Sequence, residues 1–302
     1  MDHLKFVIES SEADLMVKQL GLDSVLELLP LIARSARKSA RQPISGFAQF
    51  LITNLSRFPH CTLKNVVVST YPCGHCRQFL QEVRGASGIQ IFVLQNHGDD
   101  DEDDGKPVKI NGFLEENHNH FRPLSYFLPH QFGPNDLLDK DVPLILETRE
   151  NGLILVDDLI IKGENGLSSA KFDLKRVVIA ALDAANRSHA PYSGCPSGIS
   201  LVDKNGNIFK GSYMESAAYN PSFSPMQAAV IDYIATTANG AEAEAEAETG
   251  YGNIIGAVGG GPEEGAVVKQ EETAKLFLMA VSPNCEFHVY NCKIDVKCIL
   301  EN

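Results

Sequence analysis

Tryptophan is absent from this 302-residue chain, and so is any apolar run of transmembrane length. A spanning helix needs about 20 consecutive apolar residues, so no bilayer span and no membrane partner are expected. Residues 1–21 lack a basic stretch leading into a short apolar core, and no secretory signal is read there. Positive charge is scarce: 26 Lys and Arg against 39 Asp and Glu give a formal net charge of −13. That balance repels phosphate backbones and argues against nucleic-acid partners. The cluster Arg34, Arg37, Lys38 and Arg41 is a local exception, and at helical spacing it reads as a solvated face. Disulfide scaffolding is also missing from the pattern. Seven cysteines, an odd number without a secretory signal, point to a reducing cytoplasm.

What is present favours a globular chain of two domains, on length and on a hydrophobic content of 44% with 22% charged residues. Residues 11–21 read as a short helix with Ser11 as cap, Asp14 at the capping-box position and Gly21 as stop. Residues 24–40 read as a second helix, with Val25, Leu26, Leu29, Ile32 and Ala33 on one side. Residues 65–70 and 89–95 are β-branched runs of strand length. Between them "CGHCRQFLQEVRG" reads as a helix with Leu80 and Val83 inward and Gly85 closing it. The result is a strand–helix–strand unit with Cys73 and Cys76 at the first turn of its helix. The acidic run at 97–105 and the low-complexity run at 239–250 read as loops without assigned function. Residues 150–169 are polar and Gly-punctuated, a junction that gives domains at 1–150 and 151–302.

Past that junction the chain imitates itself. "IARSARKSARQPIS" ends at Ser45 and "IAALDAANRSHAPYS" at Ser193, each a helix closed by Pro-x-Ser. Helical segments around Gln49 and Gln227 then correspond. The separations disagree, because Ser193 to Gln227 spans 34 residues and Ser45 to Gln49 only 4. The extra piece of the second copy carries "GISLVD" and "NIFKGSYME" around the turn signal Lys204-Asn205-Gly206, which reads as a hairpin. The first copy therefore lacks about 30 residues, a hairpin and the turn after it.

With those segments in view, the chain resembles the two-domain, plant-type cytidine deaminases that act on free nucleosides. The likeness is carried by "PIS" (43–45), "AQFLITNL" (48–55), "YPCGHCRQFLQE" (71–82), "FLPHQFGPNDLL" (127–138), "APYSGCPSG" (190–198) and "YMESAAYNPS" (213–222). It implies an α/β fold of two related domains, each a mixed β-sheet flanked by helices, with the first lacking a hairpin. It also implies zinc, held by one His and two Cys thiolates, which lowers the pKa of a bound water. A nearby Glu moves the proton while hydroxide attacks C4 of cytosine and ammonia leaves, under the signature H-x-E…P-C-x-x-C. Pro72, Cys73 and Cys76 match its second half, so the two cysteines are the candidate metal ligands.

The first half is missing. Gly46, Phe47 and Ala48 stand before Gln49 where the family has His-Ala-Glu, so no catalytic residue is assigned. The Asn-x-Glu segment that would hold the ribose is gone as well. In the second domain "YNPSFSPMQ" (219–227) occupies the His-x-Glu region and "SPNCEF" (282–287) the place of Pro-Cys-x-x-Cys, so no zinc site is expected there. Phe132 resembles the aromatic that covers the bound base and is the candidate substrate-binding residue. Its other reading is core packing after a Leu-Pro turn. As substitute ligands, His60 and Cys61 read as loop or strand-edge residues, and His75 as poorly angled to join its neighbours on one ion.

Three functional readings follow. The chain is an inactive cytidine deaminase homologue, alone or as a subunit of a homodimer or of a hetero-oligomer with a paralogue. It is an active zinc enzyme of pyrimidine salvage, if the missing segment is an artefact of sequence or splicing. Or it is a thiol–disulfide exchanger, because "CGHC" is also the motif of protein disulfide isomerases, although their flanking Trp, signal peptide and Lys-Asp-Glu-Leu tail are not found. Loss of the hairpin is expected to leave a sheet edge and part of the first core uncovered.

Overall fold

The computed structural model describes residues 8–38, 63–94, 121–156, 172–237, 250–262 and 266–295. The 43–49 segment, His60, Cys61 and nearly all of both low-complexity runs lie outside the described residues. No helix among the described residues is long and apolar enough to cross a membrane. The chain packs as two compact units. Described residues up to 131 form the first, and those from 132 onward form the second. Residues 132–150, grouped in the sequence with the first domain, thus belong to the second unit.

In the first unit, α1 (Ser10–Leu20) starts after Glu9, which makes no side-chain cap. Ser11 therefore lies inside the helix instead of capping it, while Gly21 ends it as expected. Next, α2 (Val25–Lys38) contains Pro30 and packs against α1 and a strand, β1 (Asn65–Val68). Its covered face centres on Leu28, fully buried, whereas Val25 and Leu26 are 40% and 44% exposed. The expected apolar side was thus rotated. Several stripes of a Leu-rich helix qualify as inward, and the neighbours decide which one is covered.

β1 pairs in parallel with β2 (Gln90–Val93), and β2 pairs antiparallel with β3 (Arg122–Pro123). The crossover carries α3 (Gly74–Phe79) and two 3₁₀ turns, Leu80–Glu82 and Ala86–Gly88. α4 (Leu124–Phe127) follows β3 directly. Val66, Val68, Leu80, Val83, Ile89, Ile91, Leu124 and Phe127 are the buried core, with Leu80 and Val83 inward as the sequence predicts.

The second unit opens with α5 (Pro134–Leu137) and is built on a sheet of order β4-β8-β7-β5-β6. Its strands are β4 (Leu153–Leu155), β5 (Gly198–Asp203), β6 (Ile208–Ser212), β7 (Ile254–Pro262) and β8 (Glu286–Ile294). Only β7 and β8 are parallel. One face is covered by α6 (Leu174–Asn186) through Leu174, Val177, Val178 and Ala181. The other is covered by α7 (Pro225–Thr237) and α8 (Glu271–Val281) through Met226, Ala229, Val230, Ala274 and Leu278. A sheet buried on both faces explains why every residue of β5 is buried, polar Ser200 included; its hydroxyl donates to the Val177 carbonyl at 2.6 Å.

The predicted hairpin is β5–β6. Asp203 accepts from the Asn205 and Asn207 amides at 2.9 and 2.8 Å, and Gly206 takes φ 80°, which a side chain would strain. β4 lies inside the polar stretch read as a junction. Its Leu153 and Leu155 are buried and it pairs with Ile294–Cys292 of β8, so that stretch supplies an edge strand to the second sheet.

The two sheets follow one plan. In each, a helix crossover joins two parallel strands, and a third strand runs antiparallel beside the second: β1-β2-β3 and β7-β8-β4. The second sheet continues past β7 into β5 and β6, which lie wholly within the 34 residues from Ser193 to Gln227. Among the described residues β1 has a neighbour on one side only.

Candidate functional site

Cys73 stands where β1 ends and α3 begins. Pro72 cannot donate to a strand ladder, and Cys73 itself, at φ −64° and ψ 169°, is the extended residue that caps the helix. Its sulfur accepts the Cys76 amide at 3.3 Å, and its carbonyl accepts the Arg77 amide at 3.0 Å. A Cys-x-x-Cys at a helix start places the second sulfur directly above the first, and the two Sγ atoms lie 3.1 Å apart. Cys73 is exposed and Cys76 partly buried.

The pair is electrostatically uneven. Burial pushes the Cys73 thiol up, but hydrogen bonds from Cys76 and the His75 amide, together with the Arg77 guanidinium, bring it net below the ordinary thiol range. Burial, then the Cys73 contact and its charge, push Cys76 up to about 11. Arg77 also fixes the surroundings: its Nη1 donates to the Phe127 carbonyl at the end of α4, at 2.8 Å. Tyr71 and Tyr126 set their rings edge-on to Phe127 at 5.6 and 5.2 Å. Arg122 lies over the Tyr126 ring at 4.2 Å. Sequence reasoning gave none of these residues a role, although Arg77, four residues after Cys73 on the same helical face, was the available signal.

Zinc takes three or four protein ligands, and tetrahedral thiolates with Zn–S near 2.3 Å stand about 3.8 Å apart. Here two sulfurs sit closer than that. Among the described residues no group of three His, Cys, Asp or Glu side chains could hold a metal ion. His75 is exposed and does not complete one, and fully buried Glu82 lies on the 3₁₀ turn beyond α3. The described residues supply half of a zinc site and by themselves do not fit the ion.

Phe132 is 43% exposed, in the loop leading to α5, a short helix that begins with Pro134 and is capped by the Asp136 carboxylate on the Gly133 amide at 2.8 Å. Core packing does not describe a residue that open.

In the second unit, "APYSGCPSG" and "YMESAAYNPS" lock to each other. Glu215, 3% exposed, accepts the Tyr192 and Ser193 amides at 2.9 and 3.1 Å. The His189 amide donates to the Tyr213 carbonyl, and the Glu215 amide to the His189 carbonyl, both at 2.8 Å. At the start of α7, where the family resemblance places His-x-Glu, Ser224 and Gln227 form a reciprocal cap. The Gln227 amide reaches the Ser224 hydroxyl at 3.2 Å, and the Ser224 amide the Gln227 side chain at 2.9 Å. Ser-x-x-Gln is a capping-box pattern that the sequence carries openly. "SPNCEF" is placed differently from expectation. Ser282 is the last cap of α8 and Cys285 enters β8, at the far end of the crossover from the position that Cys73 holds. Its likeness to Pro-Cys-x-x-Cys is compositional, because the matching point of the second crossover follows Pro262, at the end of β7.

Two α/β units on one plan, one with a Pro-Cys-x-x-Cys turn opening its crossover helix, carry the second half of the zinc deaminase signature. The family described as the cytidine and deoxycytidylate deaminase zinc-binding region matches residues 124–248. Cytidine deaminase 1 of Arabidopsis thaliana is 43% identical over 325 aligned positions, covering 97% of this chain and 99% of that protein. Cytidine deaminase 6 of the same plant is 36% identical over 250 positions, 81% of this chain and 73% of its own. A solved cytidine deaminase from Burkholderia pseudomallei matches at 17% identity and TM-score 0.32, over 41% of this chain and 92% of its own, too slight a likeness to carry weight. The chain belongs to the cytidine deaminase family, and zinc is that family's metal.

Proposed function

We propose that this chain is a cytidine deaminase homologue that has lost deamination through loss of one internal segment. The observation that carries this reading is the four-residue link from Ser45 to Gln49, where the second copy has 34 residues holding β5, β6 and the loop to α7. The three residues between Ser45 and Gln49 cannot form a hairpin, and the family's metal-binding His and proton-moving Glu belong directly before Gln49. The alignment to the Arabidopsis relative has room for a gap of that size: 97% of 302 residues is about 293, some 32 fewer than the 325 aligned positions. The lost reaction is hydrolysis of cytidine or deoxycytidine to the uridine counterpart, a step of pyrimidine salvage in the cytoplasm. A form of the chain carrying the segment is the active zinc enzyme.

The retained fold suits a non-catalytic subunit, in a homodimer or beside an intact paralogue, with exposed Phe132 offered to a nucleoside base. Zinc analysis of the purified chain, run alongside ammonia release from cytidine and deoxycytidine, tests the central claim. The expected result is sub-stoichiometric metal and no turnover. Stoichiometric zinc with turnover would overturn it.

A further inference from the structure

We propose that Cys73 and Cys76 form a reversible disulfide, so that the abandoned half of the metal centre works as a dithiol exchanging with low-molecular-weight disulfides. The inference rests on the reading that zinc does not occupy the pair. Its basis is geometric. The two sulfurs stand 3.1 Å apart within one turn, and a disulfide of about 2.05 Å needs them to close by roughly 1 Å. Cys73 caps α3 from outside the helix, so turning its side chain toward Cys76 gives up contacts with the Cys76 and His75 amides and no packing of the helix itself. None of the described cysteines forms a disulfide, and Cys195 and Cys292 are buried away from any reagent. Cys73 alone among them is exposed, with Cys76 partly buried beside it.

That difference orders the chemistry. The Cys73 thiolate attacks one sulfur of a disulfide such as glutathione disulfide, the S–S bond breaks, and one thiolate leaves to take a proton from solvent. Cys76 then gives its proton to solvent and attacks Cys73 Sγ, and the second thiolate is expelled and takes up a proton. The chain gives up two electrons and two protons, and one glutathione disulfide becomes two glutathione thiols.

Trypsin isolates the pair, because residues 65–77 lie between Lys64 and Arg77 and contain no other cysteine. The full chain is incubated with glutathione disulfide, alkylated, digested and weighed, with zinc measured on the same sample. The expected result is a metal-free chain whose 65–77 peptide is unalkylated and short of two hydrogens, and recovers both alkyl groups after dithiothreitol. In Cys76→Ser the same peptide carries glutathione on Cys73. A metal-free chain whose 65–77 peptide stays doubly alkylated overturns the exchange and leaves the loss of deamination standing. Stoichiometric zinc overturns the exchange, and zinc together with ammonia release from cytidine overturns both.

Discussion

At the residue scale, the chemistry of the first unit turns on two sulfurs that share a turn but not an environment. Hydrogen bonds and the Arg77 charge favour the Cys73 thiolate, whereas burial and the neighbouring Cys73 outweigh the backbone hydrogen bonds to Cys76 and push it up to about 11. A lowered pKa means more thiolate at any pH below it, and thiolate is the form that alkylates. Iodoacetamide labelling followed across pH is therefore expected to modify Cys73 first, with its half-point below that of an ordinary thiol. Cys76, raised by burial and by its unmodified neighbour, should follow Cys73; labelling in the reverse order would contradict the assignment. Arg77 belongs to the same setting, since its guanidinium both faces Cys73 and ties α3 to the end of α4.

At the scale of elements, the second unit shows what the hairpin does for the fold. A Cβ on Gly198 would run into the α6 backbone at Ala181 and Ala185, and one on Gly211 into the α7 backbone at Pro225 and Ala229. β5 and β6 are thus the strands on which α6 and α7 seat closely. Gly211→Ala is expected to cost about 1–3 kcal/mol, since backbone atoms cannot swing aside, and Ser224→Ala about 1 kcal/mol through loss of the α7 cap. Denaturant unfolding of each variant measures both. A Gly211→Ala chain as stable as its parent would mean that α7 is free to move off β6.

On the scale of the whole molecule, the proposed loss of a segment is tested against the plan that the second unit displays. Inserting the corresponding segment of Arabidopsis cytidine deaminase 1 between Ser45 and Gln49 is expected to restore stoichiometric zinc and ammonia release, and to raise resistance to denaturant. A folded graft that binds zinc at Cys73 and Cys76 yet does not turn over would place a further lesion elsewhere. Phe132 is the first place to look, by replacing it with Ala in the active graft and reading KM for cytidine.

The sequence by itself determined the strand–helix–strand unit with Cys73 and Cys76 at its turn, the β5–β6 hairpin and the four-residue link. Each is written locally: β-branched runs, a Lys-Asn-Gly turn, and a count of residues between two similar helices. Only tertiary structure decided which side of α2 is covered, that Leu153–Leu155 joins β8 as an edge strand, and that "SPNC" closes its crossover instead of opening it. These depend on partners far away in the chain. A polar stretch becomes a strand when β8 offers it an unpaired edge, and a cysteine's chemistry is set by which end of a helix it occupies.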